Sequence, residues 1–134
     1  MKKIFVMALL LILFAATVFL FTKSLSKKEI EPQTKTFGRV EVIVSPKQVL
    51  ASKPVIFELS LNNHAINLDY NFRDIVKLTD DDGNIYKVAS WTGGSGGHHV
   101  SGAISFEPLK RGVKSVALNI KGIDGDSGSF IWKI

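Results

Sequence analysis

The sequence predicts an all-β fold, an immunoglobulin-like antiparallel β-sandwich of about seven strands, preceded by one N-terminal transmembrane helix. Three observations predict it. Ile4 to Phe21 holds eighteen residues without a charge, and Thr17 is its one polar side chain. That length sits at the short end of what spans a bilayer. From Phe37 onward the apolar residues recur with a period of two, the mark of strands with one buried face. Clusters of Gly and Asp separate these runs, and no later window keeps helical periodicity over ten residues.

The N-terminal segment reads as an uncleaved signal-anchor over residues 1–22. Met1-Lys2-Lys3 before an apolar run resembles a secretory signal, but a cleavable one ends in small residues. Here the run ends Val18-Phe19-Leu20-Phe21, and Ser24 and Ser26 form a poor cleavage site. Lys2 and Lys3 nearly balance Lys23, Lys27 and Lys28 across the segment. The very short amino-terminal tail favours the N-terminus inside and the C-terminal domain outside. The expected location is therefore the cell membrane, single-pass, with an extracytoplasmic domain. Residues 23–36 contain Pro32 and have no periodic apolar pattern, so they are expected to be a polar, solvated tether.

The β domain is expected over residues 37–134. Val40, Val42 and Val44 alternate with Arg39, Glu41 and Ile43, and Val55, Phe57, Leu59 and Leu61 alternate with Glu58, Ser60 and Asn62. Leu68, Tyr70, Phe72, Val76 and Leu78 share one phase and predict a third strand over 66–79. Ile85 to Trp91, Ile104 with Phe106, Val116 to Ile120 and Phe130 to Ile134 complete the set. Pro46, Pro54 and Pro108 fall at the edges of runs, where a missing donor does little harm. If every connection reverses direction, the turn with His64, the loop Thr92–Gly102 and the turn with Asp124 and Asp126 share one end. Asp80–Asp82 then lies at the other. The first of these strands starts at the histidine end, so the anchor is expected to hold that end toward the bilayer.

Charge narrows the function classes. The whole chain carries a net +5, yet residues 1–36 hold six Lys and two Glu. Residues 37–134 hold eleven Lys or Arg against ten Asp or Glu. The basicity therefore flanks the membrane segment, where Lys meets anionic lipid. The domain lacks the basic excess that would neutralise phosphates, which argues against a nucleic-acid partner. The chain has no cysteine. Disulfides, thiolate metal sites and a Cys nucleophile are excluded.

The three histidines, His64, His98 and His99, fall in two connections assigned to one end. Three imidazoles, with Asp69 or a loop carboxylate as a fourth ligand, would suit Cu(II) or Zn(II). Adjacent His98 and His99 would point to opposite faces of a regular strand, so a shared ion needs the irregular loop that Gly93-Gly94-Ser95-Gly96-Gly97 supplies. The alternative is a flexible glycine-rich loop whose exposed histidines bind nothing.

Other motifs reduce to structure. Gly93-Gly94-Ser95-Gly96-Gly97 matches G-x-S-x-G, but no helix follows and no α/β sheet surrounds it. Placing Gly83 at the sixth position of a calcium loop puts Leu78 and Ala89 at ligand positions, which fails. A hairpin turn accounts for Asp80 to Asn84. Trp91 and Trp132 are expected to anchor packing, with stacking on a sugar as the alternative. No nucleophile, base and orienter can be assembled, so no enzyme is expected.

Asn63-His64-Ala65-Ile66-Asn67-Leu68-Asp69-Tyr70, Asp81-Asp82-Gly83-Asn84-Ile85-Tyr86, Trp91, Gly96-Gly97-His98-His99-Val100-Ser101-Gly102 and Phe130-Ile131-Trp132 resemble one group of proteins. These are uncharacterised prokaryotic membrane-anchored β-domain proteins with a Gly-Gly-His-His loop. The likeness covers roughly residues 40–134 and implies location and fold rather than chemistry. Asn63 stands where Thr is usual in that group, and Val100 where a basic residue is usual. The functional expectation is a membrane-anchored binding module that holds an ion or ligand at the histidine end, exchanging with a membrane-protein partner. The alternative is a structural or interaction module of a cell-envelope assembly with no metal.

Overall fold

Val40, Val42 and Val44 are fully buried, and so are Val55, Phe57, Leu59 and Leu61. Each run buries every second side chain, as a strand with one wet face must. In the computed structural model, which describes residues 30–134, these runs build two antiparallel sheets packed face to face. The elements in order are β1 (Gln33–Phe37), β2 (Val40–Gln48), β3 (Val55–Asn62), α1 (Phe72–Ile75), β4 (Val76–Asp80), β5 (Ile85–Tyr86), β6 (Val88–Trp91), β7 (His99–Phe106), β8 (Ser115–Ile123) and β9 (Asp126–Lys133). One sheet has the order β1-β2-β3-β7-β6 and the other β5-β4-β8-β9. The predicted membrane helix over Ile4–Phe21 lies outside the described residues. Among the described residues no helix is long and apolar enough to cross a membrane.

The core is the layer between the sheets. Phe57 meets Trp132 with ring centroids 5.0 Å apart and Phe106 at 6.3 Å. It is fully buried, so truncation to Ala would cost about 3–5 kcal/mol.

Three expectations about elements need correction. The first concerns the tether. Gln33 to Thr36, assigned to it, instead join Phe37 in β1, which pairs with β2 from Gln33↔Val44 to Phe37↔Val40. β1 buries Phe37, yet its inward phase also holds Gln33 and Lys35, which gave no apolar signal. Their side chains donate to the carbonyls of Ile131 and Ser129 on β9, and the Lys35 ammonium stands 5.5 Å from the Phe130 ring centroid. The second concerns the strand expected over 66–79. Only Val76–Asp80 is strand, because Asn71 caps a single helical turn with its side-chain oxygen on the Arg73 amide. The third concerns Ile85–Trp91. β5 pairs with β4 in one sheet and β6 with β7 in the other, so this run changes sheets at Lys87.

β1 also reverses the expected entry of the chain. β2 starts beside the histidine end, but β1 runs antiparallel to it and reaches that end only at Phe37. The chain joins the domain at the opposite end, where the Trp132 indole N–H donates to the Glu31 carbonyl at 2.8 Å. The histidine end is therefore remote from the entry point, contrary to the expectation that the anchor holds it toward the bilayer.

The placement of the connections themselves is as the alternation predicts. Asn62 at the end of β3 pairs with His99 at the start of β7. At the same end, Gly38-Arg39 joins β1 to β2 and Asp124-Gly125 joins β8 to β9. Asp124 and Gly125 both have positive φ, 48° and 80°, the type I′ signature of an Asp-Gly hairpin. The Asp124 carboxylate accepts from the backbone N–H, Nε and a terminal guanidinium nitrogen of Arg39 at 2.7–2.8 Å. Its own N–H donates to the Tyr70 hydroxyl at 3.0 Å. These bonds clasp the two sheets together, and those from Arg39 hold the Asp124 carboxyl down to about 2. Gly38 is required there, since a Cβ would lie 2.5 Å from a carboxylate oxygen of Asp124.

Asp80, at the other end, is 8% exposed and fully engaged. Burial pushes its carboxyl up, but bonds from the Tyr86 hydroxyl and from Asn84 outweigh that and hold it low. Asp80–Asn84 is a hairpin turn, as expected from its residues.

Candidate functional site

Asn63 begins the site. Its side-chain oxygen accepts from the N–H groups of Ala65 and Ile66 at 2.8 and 2.7 Å, which bends the chain into a tight Asx turn presenting His64. Its side-chain nitrogen and its backbone N–H both donate to the His98 carbonyl, at 3.2 and 3.0 Å. One buried amide thus ties the β3–α1 connection to the β6–β7 loop.

That loop carries hydrogen bonds at both of its ends and at Gly94, Gly96 and Gly97. Leu68 exchanges backbone bonds with it: Gly96 N–H donates to Leu68 O, and Leu68 N–H donates to Gly97 O, both at 2.8 Å. Gly97 N–H also donates to the Asn67 side chain. Thr92 and Ala103 bond to one another across the base of the loop. The Trp91 indole donates to Gly94 O at 3.2 Å and stacks on Phe72 at 4.7 Å. Gly93 lies so close to this ring that a Cβ would come within 2.2 Å of it. Gly93 therefore serves close packing, whereas Gly96 and Gly97 supply the positive φ, 89° and 79°, that the loop requires.

The fixed backbone sets the imidazoles. His64 and His99 are neighbours, with ring centroids 5.7 Å apart and planes at 77°. The Asn62 side-chain oxygen lies 3.0 Å from His99 Nδ1, and the Ile66 carbonyl lies 2.9 Å from His98 Nδ1. Both oxygens only accept, so each Nδ1 donates its proton to one, which leaves Nε2 as the nitrogen that a metal ion would use. Metal-binding histidines have this arrangement, with the second nitrogen held by a protein acceptor. Metal–nitrogen bonds of about 2.0–2.1 Å put two imidazoles on one ion with centroids roughly 5–6 Å apart. The His64–His99 separation falls in that range.

The full predicted ligand set is not brought together. Among the described residues no group of three or more His, Asp or Glu side chains is placed to hold a metal ion. His98 is turned to Ile66. Asp69 lines an open groove of about 440 Å³ with Asn71, Arg73, Trp91 and Gly93 to Ser95, and no histidine lines it. Asp69, proposed as a fourth ligand, lies in the irregular segment 66–71. Asn62, Asn63 and Asn67, which position the histidines, carried no motif of their own. Asn63 followed by a turn residue of its own is the one local signal that could have marked it. The two tryptophans are packing residues. Trp132 is 4% exposed, and Trp91 is half-buried between Phe72 and the glycines.

No protein-family model and no curated protein matches this sequence. Among solved structures, the chain is similar to a DUF4426 family protein from Pseudomonas aeruginosa PAO1. The two share 13% identity with a TM-score of 0.49, over 77% of this chain and 94% of the other.

Proposed function

We propose that this chain is a non-enzymatic, membrane-anchored extracytoplasmic binding module of immunoglobulin-like topology, with its binding end at His64, His98 and His99. The topology rests on strand order. β2-β3-β7-β6 facing β4-β8-β9 follows the A-B-E-D and C-F-G order of that fold, with β5 an added edge strand and β1 preceding the set. The anchor rests on the uncharged run Ile4–Phe21.

The ligand proposed is Cu(II) or Zn(II), held by His64 and His99 and completed by water. The observation that carries this is the 5.7 Å approach of the two rings on a hydrogen-bonded backbone, with His99 Nδ1 already committed to Asn62. Two imidazoles favour Cu(II) over Zn(II) by the ordinary order of divalent affinities. Such a shell suits capture and handover rather than catalysis. Titration of the full chain in detergent with each ion tests it. Saturable binding that disappears in His64→Ala and in His99→Ala is expected, with His98→Ala retaining most of it. Affinity weaker than about 10 μM, roughly −7 kcal/mol, or unchanged by both variants, rejects the metal.

A second reading, a structural or interaction module of an envelope assembly, is favoured by the loop's own hydrogen bonds, which order it with no ion required. Co-purification with a fixed partner, indifferent to the histidine variants, would support it.

A further inference from the structure

Charge divides between the two outer faces of the sandwich. On the sheet β1-β2-β3-β7-β6, the outward strand positions carry Glu41, Glu58 and Lys47, and Lys47 pairs with Glu58 at 2.7 Å. On the sheet β5-β4-β8-β9, they carry Lys77, Lys121 and Lys133 and no carboxylate. The near-neutral total of the domain hides this division.

The same face has an apolar row. Ile85 pairs with Thr79, Thr79 with Ala117 and Ala117 with Ile131, so the four side chains stand in line across four strands. At about 4.8 Å per strand the row is roughly 14 Å long. Its ends, Ile85 and Ile131, are 59% and 60% exposed. Lys133 stands in the row on one side and Lys77 in the row on the other, with Lys121 one row further along β8. A flat face with apolar tips among unpaired ammonium groups matches the boundary between phosphate headgroups and acyl chains.

The chain also enters the domain beside this face. Glu31 is bonded to Trp132, whose neighbours Ile131 and Lys133 both point outward from β9. The sequence just before it carries Lys23, Lys27 and Lys28. Nine residues, 22–30, reach at most about 30 Å from the end of the apolar run.

We infer that the outer face of β5-β4-β8-β9 rests on the anionic lipid surface of the membrane that Ile4–Phe21 enters. The inference rests on the anchored reading above. Each Lys near such a surface is worth roughly fivefold in partitioning.

The absence of cysteine allows a direct test on the full chain. Ala117→Cys places a fluorescent label on this face, and Ser60→Cys places one on the opposite face. Each is reconstituted in phosphatidylcholine vesicles, with or without phosphatidylglycerol, containing a lipid-borne quencher. The Ala117 label should be quenched severalfold more than the Ser60 label, and only with the anionic lipid. Lys77→Gln with Lys121→Gln and Lys133→Gln should lower the docked-to-undocked ratio on the order of 100-fold. Equal quenching at both positions, or quenching indifferent to lipid charge and to the lysines, overturns the inference and leaves the face to an acidic protein. Flotation with neutral vesicles reports the anchor separately. A chain that floats but shows equal quenching refutes the face alone, and one that fails to float refutes the anchor with it.

Discussion

The side chain of Asn63 donates to the carbonyl of His98, 35 positions away, while its oxygen holds the turn that presents His64. It is 4% exposed and has no free polar atom among the described residues. Asn63→Ala would leave the N–H groups of Ala65 and Ile66 without their acceptor. The expected cost is about 2–3 kcal/mol in urea unfolding, at the upper end for an orphaned buried group. The same variant should weaken Cu(II) binding even though it removes no imidazole. Unchanged stability and unchanged binding would remove Asn63 from its assigned role.

Glycines of one loop should differ sharply in their tolerance of a methyl group. At Gly93 a Cβ meets Trp91 at 2.2 Å and the Ser101 carbonyl at 2.6 Å, whereas at Gly94 it meets nothing within 4 Å. Gly93→Ala should cost about 1–3 kcal/mol, the range for overpacking, and should shift tryptophan emission as Trp91 leaves Phe72. Gly94→Ala should change neither. Equal effects at the two positions would contradict the packed loop.

Asp124 predicts an acid response. Its folded pKa, held at about 2 by Arg39, lies below the ordinary 3.8. Folding therefore favours the ionised form. That contribution is complete above about pH 4 and fades as pH falls toward 2. Asp124→Asn should show a shallower loss of thermal stability across this window than the natural chain. Parallel pH curves would show that the clasp with Arg39 is not felt in solution, where the guanidinium is 62% exposed.

The boundary of the domain can be tested by truncation. A chain starting at residue 37 lacks β1, exposes Trp132 and frees the carbonyls of Ser129 and Ile131. A chain starting at residue 30 keeps all three contacts. The shorter form should melt at lower temperature and scatter light at lower concentration. Equal behaviour would return residues 33–36 to the role of a solvated linker.

Period-two alternation was enough to find β2, β3, β8 and β9, because each buries a simple row of aliphatic or aromatic side chains. It also placed His64 beside His98 and His99, since that needs only a count of reversals. β1 was illegible for a physical reason. Its inward positions Gln33 and Lys35 satisfy backbone carbonyls instead of burying hydrocarbon, so they resemble linker residues. Leu68, Tyr70 and Phe72 kept strand phase while belonging to an irregular segment and a helical turn: Leu68 exchanges its backbone bonds with Gly96 and Gly97, and the Phe72 carbonyl accepts from the Val76 N–H within the turn capped by Asn71. The candidate site was legible in its ligand types and illegible in its geometry. The directions of the His99 and His98 imidazoles are set by Asn62 and Ile66, acceptors that no spacing rule singles out.

The capping of β9 by Gln33 and Lys35 has a consequence for how copies of this chain can meet. β9, at eight residues, is the longest of the strands with one unpaired side, and its outward carbonyls at Ser129 and Ile131 are already taken. The remaining border strands are short: five residues in β1, two in β5 and four in β6, the last interrupted by a bulge. Short, kinked or lysine-bearing borders resist templating. Donation of a strand from one molecule to the next, the route by which many β domains grow into fibres, finds no long receptive rim among the described residues. Copies crowded together in one place would stay discrete.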